Sequence, residues 1–388
     1  MPRLSRRLPP HGDPNALSRR LDALRAAGVA YADLTLSNPT RAAIPYPDGL
    51  LQSLADRQAL TYEPSPFGLS AARDAIAADA LRRGVSIDPA NVVLSASTSE
   101  AYSWLFKLLC NPGDAVLVPR PSYPLFEHLT RLEAVDARPY DLEYHRRWAI
   151  DFASFADAPV TTCAVLAVSP NNPTGSYLSV AELERLMDVC ADRGWALIVD
   201  EVFADYALDE TSPITDLAVR SPVLTFSLGG ASKSLGLPQI KLAWTVVGGP
   251  ASERDEALAG LELIADTFLS VGTPVQTAAP ALLRDAAPVR QAIQDRVAAN
   301  LQRIRELARA FPACDVLRVE GGWSAVIRVP ATRAEEQLVI DLLDRERVLV
   351  HPGYFFDFAH EAFIVVSLLP PRDILDDAFV RVMRHVNG

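Results

Sequence analysis

Cysteine is scarce in this chain of 388 residues. Its four copies, Cys110, Cys163, Cys190 and Cys314, are far apart and sit mostly inside apolar segments. They offer no metal-binding spacing and suggest a reducing compartment, so a cytoplasmic location is expected. The six histidines form no HxxxH or HExxH pattern, and no metal site is expected. Positive charge is in deficit: the formal net charge is -11. That argues against nucleic acid or an anionic membrane surface as a partner. No apolar run is long enough to span a bilayer, and there is no internal repeat or low-complexity linker. Arg3, Arg6, Arg7, Arg19, Arg20 and Arg25 cluster early, but among Pro2, Pro9, Pro10 and Pro14 and without an apolar core. An arm that dangles or clasps a partner is expected there, not a targeting peptide.

What remains is 49% hydrophobic and 22% charged, the make-up of a folded chain of two domains or of one large domain with an appendage. The chain is organised around Val223 to Gly249. Two apolar runs, VLTF and LAWTVV, flank a polar loop that carries Lys233 between Ser232 and Ser234. An amine held on a short loop between buried strands can be desolvated and attack a carbonyl. An ordinary solvated loop lysine fits the stretch as well.

Upstream, TTCAVLAVSPNNPTG is a buried strand ending at Asn171 and Asn172. A helix follows, then WALIVDEVF, apolar until Asp200 and Glu201. Strand–helix–strand with continuous apolar strands predicts an α/β fold, a mostly parallel sheet covered by helices. Ligands bind beyond the carboxyl ends of such strands. Asn172, Asp200 and Lys233 all lie at such ends, spaced by 28 and 33 residues, each about one strand–helix–strand step. NVVLSASTSEAYSWLF predicts a strand, a small-residue turn and a helix, with Ser97 and Glu100 as a capping box. Ser97, Thr98 and Ser99 then form an anion site, or simply a capped helix. Tyr123 ends another strand and stands to stack on a planar ligand or to line a rim. Tyr62 and Gly68 fall in a loop before an alanine-rich helix. Asn38 and Pro39 mark a turn followed by Arg41. From Gln276 the chain predicts a smaller α/β domain: long helices, then GGWSAVIRVP, RVLVHPG and EAFIVVSLLP as strands and a last helix, DILDDAFVRVMRHV. The expected division is 1–45 as an arm and part of the small domain, 46–275 as the large domain and 276–388 as the small one.

NNPTG, DE after WALIV, and SK in a glycine-serine loop, in this order, resemble the class I/II aminotransferases among the fold-type I pyridoxal-phosphate enzymes, aspartate aminotransferase-like in pattern. The resemblance covers roughly residues 30 to 388. It implies pyridoxal 5′-phosphate held as a Schiff base on Lys233, which also moves the substrate proton. Asp200 is implied to pair with the pyridine nitrogen, and Asn172 to hydrogen-bond the ring hydroxyl. Tyr123 stacks on the ring, and Ser97, Thr98 and Ser99 hold the phosphate. Ser232 precedes the lysine. Tyr62 reaches the phosphate of a second subunit, which implies a homodimer. The loop of Asn38 and Arg41 lies over the substrate.

The chain also departs from the family pattern. Phe203 stands where a tyrosine is usual, Gly230 where a serine is usual, and Lys241 where an arginine meets the phosphate. Val365, in Ile364-Val365-Val366-Ser367, stands where an arginine binds the substrate carboxylate. The implied activity is amino transfer between an amino acid and a 2-oxo acid, in amino acid metabolism. A lyase, decarboxylase or racemase, or transfer from an atypical biosynthetic substrate, is the alternative that Val365 strengthens. A cofactor-sensing regulator is disfavoured, since such chains carry a DNA-binding domain for which there is no room before residue 30.

Overall fold

The structure, a computed structural model, describes residues 4–9, 14–209 and 221–388. Pro2, Arg3 and Pro10 of the early basic segment lie outside the described residues. In chain order the strands are β1 (Ala32–Asp33), β2 (Val92–Ser95), β3 (Ala115–Arg120), β4 (Asp136–Tyr144), β5 (Trp148–Ile150), β6 (Thr162–Val168) and β7 (Ala196–Asp200). They continue with β8 (Thr225–Gly230), β9 (Ala243–Gly248), β10 (Asp315–Val316), β11 (Ser324–Arg328), β12 (Val348–Leu349), β13 (His351–Pro352) and β14 (Phe363–Ser367).

A large sheet runs in the order β2-β9-β8-β7-β6-β3-β4-β5. Its centre, from β8 to β4, is parallel, and β9 and β5 join antiparallel at either side. The apolar runs are continuous because both faces are covered. Leu166, Ile198 and Phe226 pack with Trp104, Leu105 and Leu261 on one side. Val165, Leu197 and Val199 pack with Leu183, Leu186 and Cys190 on the other. Those last three form the buried stripe of the helix Val180–Arg193. Ser179 and Glu182 cap it reciprocally, and Gly194, at φ 68°, ends it.

A second sheet, β10-β11-β14-β13, and the pair β1-β12 make up the smaller α/β part. The stretch RVLVHPG is not one strand. Val348–Leu349 pairs with β1 near the N-terminus and His351–Pro352 pairs with β14, because the chain changes partner at Val350. The YADLTLSNPT strand likewise reduces to the two residues that find a ladder. No single helix among the described residues is long and apolar enough to cross a membrane.

Candidate active site

Strand register assembles the site. Asp200, the last residue of β7, stands opposite Val168 and Leu228, and Ser169 N–H donates to its carbonyl at 2.9 Å. The loop of Asn172 therefore starts beside Asp200. On the other flank Ser95, Ala243 and Gly230 are in register across β2, β9 and β8. Two residues beyond Ser95 is Ser97; two before Ala243 is Lys241; three after Gly230 is Lys233. Serines, lysines and the helix N-terminus thus converge at one end of the sheet.

Lys233 is one of three lysines in the chain, with Lys107 and Lys241. The sequence reading put it on a loop. In the structure β8 continues through Gly230 and Lys233 rides on a single helical turn, Ala231–Ser234. The turn is fastened from below. Tyr206 Oη donates to the Lys233 carbonyl at 2.7 Å, and Arg290 Nε donates to the Ser234 carbonyl at 3.1 Å. Arg290 is buried and ion-paired with Asp79 and Asp205. The lysine Nζ lies 5.5 Å from the centre of the Phe203 ring and 5.2 Å from that of Trp323. Burial pushes its pKa down, and Asp200 pulls it partly back. Burial thus favours the neutral amine, the form that acts as a nucleophile.

Asp200 is buried. Tyr102 Oη donates to its Oδ2 at 2.7 Å and Val202 N–H to its Oδ1 at 3.0 Å. Burial raises its pKa, against the lowering effects of Tyr102, the Val202 N–H and Lys233. Each oxygen keeps a further lone pair, so the acid fits a protonated ring nitrogen, whose charge favours the carboxylate.

Ser97 caps the helix Thr98–Leu109, its Oγ accepting from Glu100 N–H at 3.2 Å. The expected capping box is shifted: the Glu100 carboxylate accepts from Ala96 N–H at 2.7 Å, one residue before the cap, and from Ser270 Oγ at 2.6 Å. First-turn N–H groups have no carbonyl a turn earlier to serve, which suits Thr98 and Ser99 to a phosphate. Ser232 is half-buried beside Lys233. Lys241 is exposed, in a left-handed conformation with φ 58°. Gly230 has a steric reason: a Cβ there would stand 3.3 Å from Ala243 Cβ. A serine would need its neighbour to give way.

Tyr123, 42% exposed, packs edge-on against Phe126 with centroids 6.2 Å apart. Its hydroxyl pKa is raised by burial and by the Asp200 charge. Asn172 Oδ1 accepts from Ser324 Oγ at 3.4 Å, which brings the smaller part of the chain to the site. Phe203 is buried edge-to-face against Trp323, with centroids 5.2 Å apart. The groups suit an aromatic, phosphorylated aldehyde cofactor: an amine, a buried acid, a tyrosine face and a helix N-terminus lie toward one end of the sheet.

These elements have counterparts in known proteins. Residues 31–374 match the profile described as aminotransferase class I and II.

The chain belongs to the class I and II aminotransferases.

Members of this family use pyridoxal phosphate. The alanine aminotransferase of Mycobacterium tuberculosis is 27% identical over 367 residues, covering 90% of this chain and 84% of the relative. The glutamate–pyruvate aminotransferase of Escherichia coli is 24% identical over 375 residues, 94% of this chain and 92% of that one. Among solved structures, the alanine aminotransferase of Pyrococcus furiosus superposes with a TM-score of 0.86 at 23% identity, covering 95% of each chain. A Thermus thermophilus aspartate aminotransferase double mutant gives 0.85 at 22%, covering 99% of this chain and 100% of the other. These last two likenesses establish the fold.

Around the candidate residues the structure also places side chains that the sequence reading missed: Tyr102, Tyr206, Arg290, Trp323 and Ser324. Tyr102 left a signal, a hydroxyl in the apolar stripe of a helix, which requires a partner. Trp323, from the far end of the chain, left none. The substrate side differs from the cofactor side. Val365 is buried with Trp148, Leu317, Val326 and Phe356, an apolar cluster. Asn38 caps the turn Pro39–Arg41, accepting from Thr40 N–H and Oγ1 at 3.0 and 2.8 Å. Arg41 is exposed, and its guanidinium has no partner among the described residues. Arg372 is exposed as the first residue of the last helix. Tyr62 is 69% exposed, in a cleft of about 220 Å³ with Leu269, Ser270 and Gln276.

Proposed function

We propose that this aminotransferase exchanges an amino group between a small amino acid and a 2-oxo acid, with Lys233 as the residue that carries the cofactor. The observation that carries this is the Lys233 amine, 5.5 Å from the centre of the Phe203 ring and 5.2 Å from that of Trp323, its pKa lowered by burial and partly raised by Asp200. Pyridoxal phosphate, when bound, supplies an electron sink for the substrate's α-carbon. The chain's residues do the rest. Asp200 accepts from the ring nitrogen and keeps it protonated. Asn172 donates to the ring hydroxyl, and Tyr123 covers one face. Thr98, Ser99, Ser232 and Lys241 hold the phosphate. Lys233 takes the α proton and returns it on the other side of the exchange. Phe203 and Trp323 keep water from its amine.

Alanine and pyruvate are the first pair to test, after the names of the relatives. The apolar surroundings of Val365 would move the carboxylate anchor elsewhere, and Arg41, on the loop that the resemblance lays over the substrate, is the candidate. The same surroundings favour a second reading, an amine substrate lacking the carboxylate. A homodimer completes the proposal. Tyr62, Leu60, Leu263 and Phe268 are all exposed in the single chain, and Tyr62 would meet a neighbour's phosphate. Residues 46–275 are taken as the large domain, 276–388 as the small one, and 1–45 as an arm and part of the small domain. A cytoplasmic location fits four cysteines that remain free thiols. Mixing the enzyme with an amino acid alone tests the activity. Conversion of the visible cofactor band to the pyridoxamine form supports transfer; no conversion with any amino acid, but conversion with an amine, selects the second reading.

A further inference from the structure

One aromatic cluster grips Lys233 at both ends. Phe203 and Tyr206 follow β7 in the chain, and Trp323 comes just before β11. The Trp323 ring meets Phe203 edge-to-face with centroids 5.2 Å apart, and Tyr206 with centroids 5.1 Å apart. All three residues are buried. Backbone bonds hold the two segments together. Leu208 N–H donates to the Glu320 carbonyl at 2.8 Å and Gly322 N–H to the Tyr206 carbonyl at 2.9 Å. Leu368 N–H donates to the Trp323 carbonyl at 2.7 Å.

Tyr206 takes the main chain of the lysine, through the 2.7 Å bond from its Oη to the Lys233 carbonyl. The other two rings take the side chain. The Lys233 Nζ lies over the Phe203 ring at 5.5 Å from its centre and over the Trp323 ring at 5.2 Å. Both distances fall within the roughly 6 Å over which a ring face attracts a cation.

Leucine at either position would exclude water as well. What a ring adds is an electron-rich face, and that face attracts only the charged form of the amine. Among the described residues no carboxylate is ion-paired with Lys233, and Asp200 acts on it through its field alone. Asp205 and Arg290, beneath the turn, are paired with each other at 3.6 Å. Burial therefore favours the neutral amine, while Asp200 and the two ring faces favour the ammonium. A group that attacks when neutral and carries a proton when charged needs both forms within reach.

We propose that Phe203 and Trp323 are positioning residues that seat the Lys233 ammonium on their ring faces, holding the amine in place whenever it is charged and unbonded. The proposal rests on Lys233 as the residue that carries the cofactor. It also gives Phe203 a use that needs no hydroxyl: phenylalanine keeps the ring face that the seat requires.

The test uses the enzyme loaded with pyridoxamine 5′-phosphate, which leaves the Lys233 amine unbonded. Acetic anhydride acylates amines in their neutral form. The label on the Lys233 peptide is followed by mass spectrometry across pH, with Lys107 and Lys241 as references in the same digest. The midpoint of the profile reports the balance of charged and neutral amine, and the plateau at high pH reports access, so the two are read separately. Trp323→Leu and Phe203→Leu keep the surroundings apolar but remove a ring face. Each is expected to lower the midpoint, so that labelling below it, relative to the plateau, is about tenfold faster than in the wild type. Trp323→Phe, which restores a face, is expected to stay close to the wild type. A midpoint unchanged or raised in both leucine variants overturns the seat and leaves the rings as an apolar wall. A Trp323→Phe midpoint as low as that of Trp323→Leu overturns it as well. Failure of the underlying reading is distinct: borohydride reduction of the enzyme carrying pyridoxal 5′-phosphate would then label a lysine other than Lys233.

Discussion

Tyr102 Oη donates a 2.7 Å hydrogen bond to Asp200 Oδ2, from the middle of one helix to the end of a strand 98 residues later. Both partners are buried. The bond favours the ionised carboxylate, so it works against burial, which favours the neutral acid. Tyr102→Phe removes that support, and the Asp200 pKa rises further. The carboxylate is then lost at a higher pH on acidification, and the acid limb of kcat/KM is expected to move up. Unfolding free energy is expected to fall by about 1–3 kcal/mol, the range for a buried hydrogen bond to a group that can carry charge. Activity against pH and denaturant melts check the two; an unmoved acid limb means that the Val202 N–H suffices.

Borohydride reduction followed by peptide mapping is expected to place the pyridoxyl group on Lys233. A label on Lys107 or Lys241 contradicts the assignment. Lys233→Ala is expected to lower turnover by several orders of magnitude, because nucleophile and proton carrier are lost together.

Phe203 turns a ring edge to Trp323 where a hydroxyl could serve the cofactor's ring oxygen. Without that donor the oxygen stays more negative, and the protonated form of the imine is favoured. The pKa of the visible band is expected to be about one unit higher in the wild type than in Phe203→Tyr, or roughly 1.4 kcal/mol. Titrating the band in both proteins decides it; equal values mean that another donor fills the place.

Arg41→Ala is expected to raise KM for amino and oxo acids at least tenfold while leaving the visible band unchanged. Arg41→Lys recovers only part, since a point charge cannot make the forked contact. Steady-state kinetics with acid substrates and with a carboxylate-free amine are the check. Equal KM values in wild type and Arg41→Ala remove Arg41 as an anchor.

Tyr62→Phe is expected to weaken cofactor binding by roughly 1 kcal/mol, one hydrogen bond reaching across subunits. Sedimentation at low concentration belongs with it: a fully active monomer contradicts the shared site.

Residues that act through local pattern were legible in the sequence. Continuous apolar strands ending at Asn172 and Asp200 follow from a sheet covered on both faces. Ser97 follows from the needs of a helix start, whereas the place of Lys233 between two buried runs made it a candidate that only the family resemblance singled out. What the sequence could not supply is contact between distant segments. Trp323 meets the Lys233 amine across 90 residues, Arg290 ties down the Ser234 carbonyl, and His351 comes level with Val365. Each depends on how the small sheet docks against the large one and on the register of its strands. Strand register is set by pairing partners far along the chain, and a slip of one residue would turn every side chain to the other face. The change of partner at Val350 depends on the same docking: RVLVHPG looks like one strand by composition, and only tertiary packing gives its halves to different sheets.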